Sequence, residues 1–238
     1  MNAIILAGGK GSRLQPWHAP KCLLPINGVP IIHRLLTHLF GPNEQERIVQ
    51  RAHICIGYRG SDVRAALREL GWTRLVEFSD AGEDAPMGKR SVEAARTLAK
   101  REGDAPERTL ICYGDELADV DLKQLLAAHE TESERGRLIT FAAAKQRLTG
   151  GAALFNEGED GYPCELHIEE DYQLLVNIGF AVIEPDCWKY LGDSDGLSDW
   201  INRVSKKYPY AVGVYKHHGK RATVNSLADL QYAEEVWR

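Results

Sequence analysis

Three short stretches of this chain carry residue types that could handle a polyphosphate. The first is Leu6-Ala7-Gly8-Gly9-Lys10-Gly11-Ser12-Arg13-Leu14, near the N-terminus. Glycines at 8, 9 and 11 let backbone N–H groups approach phosphate oxygens with no Cβ in the way, and a fixed arginine such as Arg13 can pair with two oxygens at once. The spacing matches neither a P-loop nor the G-x-G-x-x-G of a dinucleotide fold, and by itself it fits a tight strand-to-helix turn equally well. The second is Pro20-Lys21-Cys22-Leu23-Leu24-Pro25, where flanking prolines hold Lys21 as a further fixed cation; a solvated surface lysine is the alternative. The third is Tyr113-Gly114-Asp115 followed by Asp119-Val120-Asp121-Leu122. A carboxylate there could hold Mg²⁺, which takes one or two carboxylates and completes its shell with phosphate oxygens and water. Asp115 read alone is also an ordinary cap or turn residue.

The elements around these stretches decide whether they can meet. Short apolar runs near 2–7, 52–57, 74–79, 108–113 and 138–143 alternate with amphipathic segments near 29–40, 61–70, 88–101 and 121–130. That alternation predicts an α/β fold, a doubly wound, Rossmann-like sheet with crossover helices, in which ligands collect beyond the carboxyl ends of the strands. Both the glycine stretch and Gly114-Asp115 follow predicted strands, so they are expected on one crevice. After Lys145 the pattern turns to closely spaced strands near 152–156, 165–169, 176–183 and 211–215, with Gly158-Glu159-Asp160-Gly161 as a hairpin tip. Helices are expected near 186–191, 197–207 and 227–237, the last after Asn225-Ser226, a possible N-cap. The chain therefore reads as one domain over 1–238: a doubly wound half, 1–145, and a smaller β-rich lobe, 146–238, that extends a mixed sheet.

A net charge of −5 opposes a general nucleic-acid or acidic-membrane binder, because either needs a broad cationic surface. The five cysteines include no C-x-x-C pair and their odd number leaves a thiol free, which suits a reducing cytoplasm. The apolar run 2–7 is too short for a signal peptide, and no apolar stretch approaches the ~20 residues of a membrane span. These features predict a complete, cytoplasmic chain without nucleic-acid or membrane partners. His217-His218 is expected as a solvated loop, and Cys112 as a core thiol rather than a nucleophile.

LAGGKGSRLQP followed by PKCLLPINGVPII resembles the signature of the sugar-1-phosphate nucleotidyltransferase superfamily. The resemblance implies that Leu6, Ala7, Gly8, Gly9, Gly11 and Ser12 line the nucleotide, that Arg13 grips the β- and γ-phosphates, and that Lys21 reaches the α-phosphate. Gly88 would approach the base. Asp115 would face both nucleotide and Mg²⁺, with Asn225 as the second metal ligand, although helix capping is open to Asn225 too. The implied reaction transfers NMP from an NTP to a sugar 1-phosphate with release of pyrophosphate, and no β-helix domain follows that would trimerise the chain, which leaves a homodimer open.

The acceptor side departs from the family. Leu175-Val176-Asn177-Ile178-Gly179-Phe180 resembles its L-V-N-x-G-x-Y strand, so Asn177 and Gly179, with Glu169 and Glu170, are implied at the acceptor. Relatives have E-E-K where this chain has Glu169-Glu170-Asp171, an anion in place of the phosphate-gripping lysine. Lys145, Lys216, Lys220 or Arg221 could substitute, or the acceptor could bring its own positive charge, as a phosphocholine-like or phosphonate acceptor of a cytidylyltransferase would. A catalytically silent, nucleotide-sensing homologue is the third reading. The base segment departs as well: Lys89 and Arg90 stand where relatives have small residues, and cations at a helix start oppose its dipole, so they suggest an anion or a partner, or else side chains in solvent.

Overall fold

The computed structural model describes residues 1–11, 17–102, 107–148, 152–157, 163–169 and 172–238, with side chains given outside 99–102, 147–148, 152–157, 163–169 and 172–173. In chain order these form β1 (Asn2–Leu6), β2 (Pro25–Ile26), β3 (Val29–Pro30), α1 (Ile31–Phe40), β4 (Arg51–Ile56), α2 (Gly60–Glu69), β5 (Val76–Asp80), α3 (Met87–Glu102), β6 (Thr109–Tyr113), β7 (Glu116–Ala118), α4 (Leu122–Ser133), β8 (Ile139–Leu148), β9 (Ala152–Glu157), β10 (Pro163–Glu169), β11 (Tyr172–Ile183), α5 (Leu197–Lys207), β12 (Val212–His217), β13 (Arg221–Thr223) and α6 (Leu227–Val236). The central sheet has seven strands in the order β12-β8-β11-β6-β1-β4-β5. β1 runs parallel to both β4 and β6, β4 parallel to β5 and β8 parallel to β12, while β11 is antiparallel to both its neighbours. The expected mixed, doubly wound sheet is thus present, and β8, β11 and β12 extend it from the second half of the chain.

Alternation along β1 sends successive side chains to opposite faces of the sheet. Ile5 joins a core with Leu36, Leu39, Phe40, Ile54 and Leu67, whereas Ile4 joins Ala94, Leu98, Ile111 and Trp200 on the other face. Each fully buried Ile or Leu contributes about 1.5–3 kcal/mol of transfer free energy. A third cluster, with Leu24, Ile26, Ile31, Leu117, Val224 and Ala233, packs the ribbon β2–β3 and helix α6 against β7. This cluster brings residues near 20, 115 and 225 to the same end of the sheet. Among the described residues, no helix is long and apolar enough to cross a membrane.

Several elements differ from the sequence reading. The first helix starts at Ile31, because Val29-Pro30 pairs with Pro25-Ile26 around Asn27-Gly28, both at positive φ (47° and 77°) as a tight hairpin turn requires. Strand β5 starts at Val76, since Trp72–Arg74 closes a 3₁₀ turn ahead of it. Pro185–Tyr190 is likewise 3₁₀. The ribbon β7–β13, too short to give a periodic signal, pairs Arg221 with Ala118 and Thr223 with Glu116. The hairpin tip expected at 158–161 lies outside the described residues, but β9 and β10 on either side of it pair antiparallel.

His129 illustrates how polar groups are handled inside this core. Its ring is fully buried, with Nδ1 2.8 Å from Thr140 Oγ1 and Nε2 2.9 Å from Glu184 Oε1. Burial holds its pKa below the ordinary histidine value, against the pull of Glu184. A histidine with a depressed folded pKa contributes stability that is present above its unfolded pKa, about 6.5, and is lost as pH falls through the folded value. The thermal midpoint of the wild type is therefore expected to fall between pH 7 and pH 5. In His129→Gln it should start lower at pH 7 and fall less; equal slopes in circular-dichroism melts would contradict this account.

Candidate functional site

The glycine loop leaves the end of β1 and is held against its neighbours by backbone contacts. Ala7 N donates to Cys55 O at 3.0 Å, Tyr58 N to Gly8 O at 3.2 Å and Gly114 N to Leu6 O at 3.0 Å. Gly114 has to be glycine, because a Cβ there would stand 2.9 Å from the Ala7 Cβ. Leu6 is half-buried and Ala7 and Gly8 are buried, while Gly9 faces open space on the surface. Gly11 adopts φ +63°, and its missing side chain leaves room for the stem of Lys21, whose Cβ would lie 3.1 Å from a Cβ on residue 11. Ser12 and Arg13, two of the residues expected on the nucleotide, lie outside the described residues.

Lys21 is the centre of the arrangement. It sits in the 3₁₀ turn Lys21–Leu23 and is only 7% exposed. Its Nζ donates to Asp115 Oδ2 at 2.8 Å and to Asn225 Oδ1 at 3.0 Å. Residues separated by 94 and 204 positions in the chain thus meet at one ammonium group. Asn225 does not cap α6: that part belongs to Ser226, whose Oγ accepts from Asp229 N, while Asn225 N donates to Asp229 Oδ2. The side-chain oxygen of Asn225 is thereby turned inward. Because Asp115 and Asn225 already surround a single positive charge with oxygen atoms, the pair suits a hard cation such as Mg²⁺.

Next to this cluster lies a cavity of about 440 Å³ lined by Glu116, Asn177, Arg221, Thr223, Asn225 and Asp229, among others. Asn177 and Gly179 sit at a bulge in the β8–β11 ladder, with Gly179 at φ +78° and its N–H donating to Asn177 Oδ1 at 2.9 Å. A side chain at 179 would collide with Glu116, since a Cβ there would be 2.8 Å from Glu116 Cγ. Glu116 escaped the sequence reading, although it directly follows Asp115. Burial pushes its carboxyl up to about 7, opposed by the hydroxyl of Thr223 that donates to it and reinforced by the charge of Asp115. Of the cations considered for the acceptor, Arg221 lines this cavity. Lys145 and Lys220 line the adjoining groove of about 950 Å³, and Lys216 is exposed on edge strand β12. The side chain of Glu169 and all of Glu170 and Asp171 lie outside the described residues.

Other expectations need correction. Arg90 neither points to solvent nor waits for a partner: it is 7% exposed, and its guanidinium donates to the carbonyls of Ala85, Glu83, Gly82 and Ile56. It fills the space that a side chain on Gly8 or Gly57 would need, which ties the 82–85 loop to the glycine loop. Lys10 adds ion pairs to Glu83 and Asp84 on the same loop, and Lys89 is exposed. Gly88 packs closely on protein: a Cβ there would lie 2.4 Å from Gly192 O, and its N–H donates to Asp195 O. His217 is buried rather than solvated, with Nε2 3.2 Å from Asp119 Oδ1. Cys112 is fully buried and its thiol is driven well above the usual range by burial, so it is a core residue as expected.

A doubly wound sheet with a glycine loop at the end of its first strand, and a lysine, aspartate and asparagine converging beside it, defines a nucleotide-handling α/β protein. Residues 3–150 match the family described as MobA-like NTP transferase domain, and the chain belongs to that family: it is a nucleotidyltransferase. It is 25% identical over 259 residues to a Bacillus subtilis protein named "Probable glucose-1-phosphate cytidylyltransferase", spanning 100% of this chain and 96% of that one. The Salmonella typhimurium glucose-1-phosphate cytidylyltransferase is 24% identical with the same coverage. Among solved structures, HddC from Yersinia pseudotuberculosis superposes with a TM-score of 0.70 at 17% identity, over 100% of this chain and 99% of that one. The CTP:phosphocholine cytidylyltransferase LicC from Streptococcus pneumoniae gives 0.63 at 17% identity, again over 100% and 99%. At these identities the structures share the fold.

Proposed function

We propose that this chain transfers CMP from CTP to a sugar 1-phosphate, forming a CDP-sugar and pyrophosphate. The observation that carries the reading is the meeting of Lys21, Asp115 and Asn225 between the glycine loop on one side and a polar cavity on the other. The names of the relatives that match over the whole chain support the choice of base and acceptor.

In this reading the backbone around Gly8, Gly9 and Gly11 receives the triphosphate, and Lys21 and Arg13 stabilise charge on it. Asp115 and Asn225 would hold Mg²⁺, whose charge would stabilise the pyrophosphate leaving group. The acceptor phosphate, already anionic, attacks the α-phosphorus in line from the side of the cavity, so neither a side-chain nucleophile nor a general base is needed. Asn177 orients the acceptor.

The test is a pyrophosphate-release assay of CTP, UTP, GTP, ATP and dTTP against glucose 1-phosphate, mannose 1-phosphate, N-acetylglucosamine 1-phosphate and phosphocholine, with Mg²⁺. Release with CTP and a sugar 1-phosphate is expected. Turnover with phosphocholine alone would replace the sugar reading by the other one. Absence of turnover with every pair, alongside intact CTP binding, would favour a nucleotide sensor.

A further inference from the structure

The cavity beside Lys21 holds a cation that the mechanism above leaves without a task. Arg221 begins β13, which pairs with β7 so that Thr223 lies opposite Glu116 and Arg221 opposite Ala118. The two-residue period of a strand puts 221 and 223 on one face of this ribbon, and both line the cavity together with Asn177 and Asn225. Arg221 is half-buried.

A guanidinium has five N–H donors in a planar fork that matches two phosphate oxygens. Among the described residues, the one hydrogen bond of this fork runs from Nη2 to the neutral Gln146 Oε1, at 3.3 Å, and no carboxylate lies within ion-pair distance. Most of its donors are thus without a partner among the described residues. An acceptor phosphate brought next to Glu116 and Asp229 without a cation would meet repulsion in a partly desolvated site.

We propose that Arg221 grips the phosphomonoester of the acceptor. The proposal rests on the nucleotidyltransferase reading of the same cavity. It concerns the phosphate shared by sugar 1-phosphates and phosphocholine, and the assay arms tell these sources apart.

Full-length Arg221→Gln and Arg221→Lys variants test it. CTP affinity measured calorimetrically without acceptor should stay within about twofold of wild type, since the nucleotide is held by the other loop. The KM for whichever phosphomonoester the wild type uses should rise roughly 10- to 100-fold in Arg221→Gln, with a smaller change in kcat, and Arg221→Lys should recover part of the loss. Added KCl should raise the wild-type acceptor KM and barely move that of Arg221→Gln. An unchanged acceptor KM in both variants overturns the proposal while leaving the reaction itself standing. If the wild type turns over no acceptor, the reaction fails separately, and Arg221 is judged by ³¹P NMR titration of glucose 1-phosphate. Broadening in wild type but not in Arg221→Gln supports the grip, and identical spectra refute it.

Discussion

Asp115→Ala is expected to lose about 10³-fold in turnover, some 4 kcal/mol of transition-state stabilisation, while keeping its fold. Asp115 follows the end of β6 with its side chain 37% exposed, so truncation opens no core cavity. The stability cost comes from Lys21, whose buried ammonium would be left with Asn225 alone. A drop in midpoint of a few degrees is compatible with that loss, and Asp115→Asn, which keeps the volume, separates the two effects. Activity should fall in both variants and should not return at high Mg²⁺ if the carboxylate holds the metal. Wild-type turnover in Asp115→Ala, or full wild-type activity in excess EDTA, would refute the assignment.

Lys21→Met carries the second large effect, a fall in kcat of roughly 10²–10³-fold, comparable to removing one preorganised donor from a developing anion. Methionine keeps most of the stem that packs on Gly11, so the loss is electrostatic. The variant also has a signature that a purely structural lysine lacks. The ammonium stands between Asp115 Oδ2 and Asn225 Oδ1, the two oxygens proposed for the metal. Removing it frees both and deletes a like charge, so Mn²⁺ binding followed by electron paramagnetic resonance should tighten even as catalysis collapses. Weaker Mn²⁺ binding together with lost activity would instead mean that Lys21 only supports the local fold.

The same three residues show where sequence reading ends. Each was marked by its local chemistry: Lys21 by flanking prolines, Asp115 by the glycine before it at a strand end, Asn225 by its place before a helix. Their convergence depends on the parallel pairing of β1 with β6 and on the packing of α6 and the β2–β3 ribbon against β7. Such long-range contacts leave no periodic trace in the chain.

Arg90 and Glu116 show the converse. Nothing local distinguishes an arginine that hydrogen-bonds four carbonyls from one in solvent, because the difference lies in the 82–85 loop and in the space left by Gly8 and Gly57. Glu116 became part of the site through a three-residue strand whose partner lies over 100 residues later. By itself, then, the sequence determined the alternation of strands and helices, the crevice at the strand ends and the residue types able to handle phosphate, because period and turn chemistry are local properties. Only the tertiary structure decided which cations line a cavity and which are consumed by the protein's own carbonyls, since that depends on how every other group is packed.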